Sequence, residues 1–182
     1  MQNEDRRFDR CVARIDLNAV RQNILNEKKL LNKDTKLMAV IKADAYGHGA
    51  IQVARTLSDF VCGFGVAVVE EALKLRAARI DNMILILGFT GSQWFEDVVR
   101  HGISQTVYNY EMASLLDSVA SISGEKAKIH IKVDTGMGRI GLYAHGHIGG
   151  RKVIDKAINI TKNCTCNPSC YNCLRNYYNQ TI

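Results

Sequence analysis

Lys42 stands directly after the apolar run of residues 37–41 and just before Tyr46-Gly47-His48-Gly49, a phenol and an imidazole set between glycines. A lysine ending a buried strand is partly desolvated, which favours the neutral amine needed to condense with a carbonyl. Most lysines in that position simply reach solvent. The loop of residues 43–49 argues otherwise here, because its glycines allow close backbone approach to an anion or a flat ring. A second set is Cys164, Cys166, Cys170 and Cys173, spaced C-x-C-x3-C-x2-C around Pro168. Four thiolates at that spacing can surround one tetrahedral Zn2+, and a reducing setting favours metal over disulfides or idle thiols. Cys11 and Cys62 stand alone in apolar stretches and are expected in or near the core.

Lys42 needs a scaffold, and the chain supplies a repeating one. Residues 36–41, 62–69, 83–87, 104–108 and 127–133 read as short apolar strands. Helical patterns follow the first four, over about 50–60, 70–78, 92–100 and 110–119. Strand, loop and helix at this spacing give consecutive βα units and a parallel sheet. Ahead of them, residues 11–17 alternate as a strand would, and Asn18 is placed to cap a helix carrying Val20, Ile24 and Leu31. Such a sheet either closes into an eight-stranded barrel or stays open and doubly wound, and composition does not choose between them. Both architectures put chemistry at the C-terminal ends of the strands, where the loops 43–49 and 134–141 fall. Gly63-Phe64-Gly65 lies within a strand and lacks dinucleotide-loop spacing.

The 182 residues are 47% apolar and 23% charged, ordinary for a globular protein, with a net charge of +6. Lys and Arg are dispersed, which argues against a nucleic-acid partner. No apolar run is longer than residues 37–41, far short of a membrane span. The polar opening, residues 1–7, lacks the apolar core of a signal peptide, so the expected setting is cytoplasmic.

Val40-Ile41-Lys42-Ala43-Asp44-Ala45-Tyr46-Gly47-His48-Gly49 resembles, residue for residue, the cofactor-lysine motif of bacterial alanine racemases. Ile131-Lys132-Val133-Asp134-Thr135-Gly136-Met137-Gly138-Arg139-Ile140-Gly141 resembles the family's second landmark, and residues 13–20 its N-terminal signature. The resemblance implies an incomplete (β/α)8 TIM-type barrel of about five βα units, binding pyridoxal 5'-phosphate and acting on alanine. It makes Lys42 the lysine that holds the cofactor and serves as base on one face of the substrate Cα. Tyr46 falls near the cofactor, and Arg139 contacts the cofactor's phenolic oxygen. Lys132 matches a lysine that is carbamylated in many members and steadies that arginine. For Asp134 and Thr135 the plain reading is loop capping. The intact family is homodimeric, and its second base is a tyrosine contributed by the partner subunit from a C-terminal β-domain.

From about residue 146 the character changes. The expected division is a partial barrel over 1–143 and a helix plus four-cysteine tail over 144–182, with a helical stretch at 152–162. The last thirty or so residues resemble the four-cysteine end of a domain found at the C-terminus of DEAD/DEAH-type DNA helicases. Those two likenesses together predict a chimera joined near 142–150, with a truncated racemase half of impaired activity. The alternative is a non-catalytic cofactor- or zinc-binding module.

Overall fold

The computed structural model describes residues 11–134 and 136–143. Residues 11–16 are exposed and carry no strand, a correction to the expectation for 11–17. Leu17 instead opens helix α1 (Leu17–Leu30). The cap is Asp16 rather than Asn18: its carboxylate accepts the Asn18 and Ala19 amides at 2.9 and 3.2 Å. An aspartate one turn ahead of the apolar stripe satisfies two orphan donors at once, and its charge suits the helix's positive end. Cys11 is exposed rather than near the core, whereas Cys62 is half-buried.

The expected βα units are present. Strands β1 (Met38–Val40), β2 (Gly63–Val66), β3 (Met83–Ile86), β4 (Ser104–Val107) and β5 (Lys128–Ile131) form one parallel sheet in the order β1-β2-β3-β4-β5. Between them run α2 (Lys42–Gly47), α3 (Ala50–Leu57), α4 (Val69–Ala77), a 3-10 turn (Ser92–Trp94) leading into α5 (Phe95–Arg100), and α6 (Tyr110–Ser123). Two short strands, β6 (Val133–Asp134) and β7 (Leu142–Tyr143), pair beyond β5.

The register decides between the two parallel architectures. Phe64 pairs with Ile84 and Val66 with Ile86, while Val107 pairs with Ile131, so alternation sends these side chains to one face. That face packs on Val53, Ala54 and Leu57 of α3, Val69, Ala72 and Leu75 of α4, Phe95, Val98 and Val99 of α5, and Met112, Leu116 and Ala120 of α6. The other face carries Val40, Gly65, Leu85 and Ser104 in one row, with Thr106 and His130 paired a step further along. Strand order never reverses, and the core gathers helices on a single face. This is a segment of a barrel wall, not a doubly wound sheet.

Local chemistry fixes the units. Gly63 is required by close packing, since a Cβ there would sit 2.6 Å from the Met83 carbonyl oxygen. The Asn109 side chain caps α6 by accepting the Met112 amide at 2.8 Å. Gly124, in the left-handed region at φ 70°, ends it. At the far end of the sheet from Lys42, the Arg76 guanidinium donates to the carbonyls of Ile80, Asn82, His101 and Gly102. One side chain thus ties the end of α4 to two connecting loops.

Candidate active site

Lys42 leaves the C-terminal end of β1 and is half-buried. The glycines after it suggest an irregular loop, but the chain turns regularly there. α2 is a single turn of left-handed hand: Ala43, Asp44, Ala45 and Tyr46 all lie at φ 50–55° and ψ 39–51°. For non-glycine residues this conformation costs about 1–2 kcal/mol each, and it persists only where surrounding contacts over-determine it.

Those contacts are present. The Ala45 amide donates to the Ile41 carbonyl at 2.8 Å, and Ala45 itself is buried. The Asp44 carboxylate accepts the Ala50 amide at 2.7 Å and so caps α3, while the Asp44 carbonyl accepts the Gly49 amide at 2.9 Å. His48 Nδ1 lies 2.9 Å from the Ala45 carbonyl, so the imidazole closes the turn locally. Glu71, in the first turn of α4, accepts the Ala43 amide on Oε1 at 2.6 Å and the Ala67 amide on Oε2 at 2.7 Å. Sequence reading missed Glu71. Its partners are 28 and 4 residues away, and an acid in a helix's first turn explains itself by the dipole alone.

Tyr46 is 62% exposed, with the Lys42 Nζ 6.0 Å from its ring centroid, the outer limit of a cation–π contact. Lys132 continues from β5, its amide donating to the Val107 carbonyl at 2.9 Å. Burial pushes the Lys132 amine below its ordinary value; Arg139 and Lys42 lower it further, and Asp134 opposes them. The three expected cations are therefore electrostatic neighbours at one end of the sheet. Asp134 does what the plain reading gave it: its carboxylate accepts the amides of Gly136, Gly138 and Arg139 at 2.9, 3.1 and 2.9 Å. These bonds wrap the backbone of 136–139 around one anion and set where Arg139 begins. Gly141 completes the wrap, since a Cβ on it would meet the Asp134 nitrogen at 2.5 Å. Thr135 and the four tail cysteines lie outside the described residues.

The sequence profile of the family described as alanine racemase, N-terminal domain, matches residues 15–159. The chain belongs to that family. An alanine racemase from Desulfovibrio desulfuricans is 47% identical over 137 residues, 74% of this chain and 37% of its own length. Alanine racemase 1 from Caldanaerobacter subterraneus is 43% identical over 142 residues, 78% of this chain and 36% of its own. A solved alanine racemase structure from Clostridium difficile superposes with a TM-score of 0.77 at 39% identity, over 83% of this chain and 41% of that one. The chain thus spans well under half the length of the relatives it matches. The family match runs past the division expected at residue 143. Among the described residues, no helix is long and apolar enough to cross a membrane.

Proposed function

We propose that these residues form the cofactor-holding half of a pyridoxal-phosphate-dependent amino-acid racemase that interconverts L- and D-alanine in the cytoplasm. The observation that carries the reading is the placing of Lys42 at a strand's C-terminal end, beside a Lys132 that is electrostatically coupled to both Lys42 and Arg139. The donor set fits the cofactor: an amine for its carbonyl, a phenol alongside, and neighbouring cations for an anionic ring oxygen. When bound, the cofactor supplies an electron sink that makes a Cα proton removable.

In this reading the Lys42 Nζ holds the cofactor and moves the proton at the substrate Cα on one face. Tyr46 flanks Lys42, and Arg139 orients the cofactor's phenolic oxygen. Burial and the neighbouring Arg139 and Lys42 cations favour the neutral Lys132 amine. That form adds carbon dioxide and, releasing a proton to solvent, becomes an anionic carbamate beside those cations. The second proton-transferring group, expected from a partner subunit in a homodimer, belongs to the part of the relatives that this chain does not match. These 182 residues alone therefore turn over several orders of magnitude below a complete enzyme. Mixed with pyridoxal phosphate and dialysed, the chain should keep a visible absorbance band, and Lys42→Ala should lose it. A band unchanged in Lys42→Ala would remove the assignment.

The cysteine spacing supports a second element, a zinc-binding tail on Cys164, Cys166, Cys170 and Cys173, and the tail's resemblance to a helicase-associated domain supports a chimeric origin for it. Because the family match reaches 159, we place the change of character after that residue, not at 143. Elemental analysis should find about one zinc per chain, reduced sharply by Cys170→Ser and unchanged by Cys62→Ser. No zinc in a reduced, chelator-free sample would leave the thiols without a role.

A further inference from the structure

The left-handed turn after Lys42 is strained, and among the described residues most bonds that hold it come from the turn itself or its neighbours in sequence. The long-range exception is Glu71. Its two oxygens accept the amides of Ala43 and Ala67, residues that lie just past the ends of β1 and β2. A glutamate at the third position of a helix commonly reaches back to an amide at that helix's own start. Here only Oε2 does so; Oε1 reaches across to the neighbouring βα unit. The Ala43 amide belongs to the peptide joining it to Lys42. Fixing that peptide plane fixes the direction in which the Lys42 side chain leaves the strand.

We propose that Glu71 is a positioning residue for Lys42, acting as a bidentate carboxylate clamp that keeps the Lys42–Tyr46 turn in its left-handed form. The inference rests on the reading of Lys42 as the cofactor lysine. Both bonds are charge-assisted and short, and the positive end of α4 attracts the carboxylate. Released from the clamp, the turn relaxes toward ordinary backbone, and the Lys42 amine samples directions away from Lys132 and Arg139. Gln at this position keeps the shape yet can accept only one of the two amides, because its nitrogen meets the other donor to donor.

The test uses the full chain, wild type and Glu71→Gln, with two readouts. Amide exchange at Ala43 and Ala67 should accelerate about tenfold or more for at least one of the two, the loss of one charge-assisted bond. The pyridoxal phosphate dissociation constant, from titration of the visible band, should weaken by about tenfold as well. Arg76→Ala, far from Lys42, controls for general destabilisation; it should lower thermal stability and leave the dissociation constant unchanged. Exchange and dissociation constant both as in wild type would overturn the clamp. Faster exchange with an unchanged constant would overturn the positioning role. If the wild-type chain gives no Lys42-dependent band, the cofactor reading fails and the positioning role with it, while the exchange rates still decide whether Glu71 holds the turn.

Discussion

Burial, more than the like charges of Arg139 and Lys42, lowers the Lys132 amine, and Asp134 opposes the shift. His130, two residues earlier on β5, is buried and faces Thr106 across the sheet. Burial holds its imidazole below the ordinary value, and its Nε2 meets no hydrogen-bond partner among the described residues. The sign of the pH dependence is fixed by that depression. Below the ordinary imidazole value the unfolded chain binds a proton that the native chain resists, so stability falls as pH drops through about 6.5. Above that value the group contributes nothing. Chemical denaturation at about pH 7.5 and about pH 5.5, either side of the ordinary imidazole value, should show the loss, and His130→Gln should flatten it. A dependence that survives His130→Gln would place the titrating group elsewhere.

The elements were legible to different degrees, for physical reasons that particular residues show. Strands such as residues 83–87 announce themselves because both faces are covered once helices and lumen are counted, leaving an unbroken apolar run. The N-terminal strand failed because exposed residues 11–16 have no partner in the described sheet; alternation alone does not make a strand. The cap moved from Asn18 to Asp16, a choice between two good capping residues that depends on where the chain first turns. The hand of α2 was invisible, since Ala-Asp-Ala-Tyr favours no left-handed backbone and the cause lies partly in Glu71, 28 residues from Ala43. Arg76 was missed likewise, as its carbonyl acceptors are supplied by two loops that only the fold brings together. Its guanidinium is lowered by burial and raised by Asp81. Arg76→Ala should destabilise by about 2–3 kcal/mol, the cost of leaving several carbonyls without their charged donor. Arg76→Lys should recover only part, because one ammonium cannot reproduce the fork. A denaturant midpoint equal to wild type for Arg76→Ala would show that water serves those carbonyls as well.

At the scale of the whole molecule, the question is how a wall of five strands relates to a working site. Helices gather on one face of the sheet, and the opposite face carries Val40, Gly65, Leu85, Ser104 and His130 toward what a complete barrel would enclose. Lys42 and the loop of Arg139 meet at the C-terminal end of that wall, where parallel barrels keep their chemistry. Lys42, Lys132 and Arg139 were readable as motif positions, yet their electrostatic proximity needed the strand register to bring them together. Everything proposed for this site depends on Lys42 being the residue that holds the cofactor. Borohydride reduction of the chain in the presence of pyridoxal phosphate, with digestion and mapping of the pyridoxyl mass by tandem spectrometry, puts that to the test. One dominant label is expected, on Lys42, in the peptide that runs into Ala43-Asp44-Ala45-Tyr46. A dominant label on Lys132 or on any surface lysine would contradict the assignment.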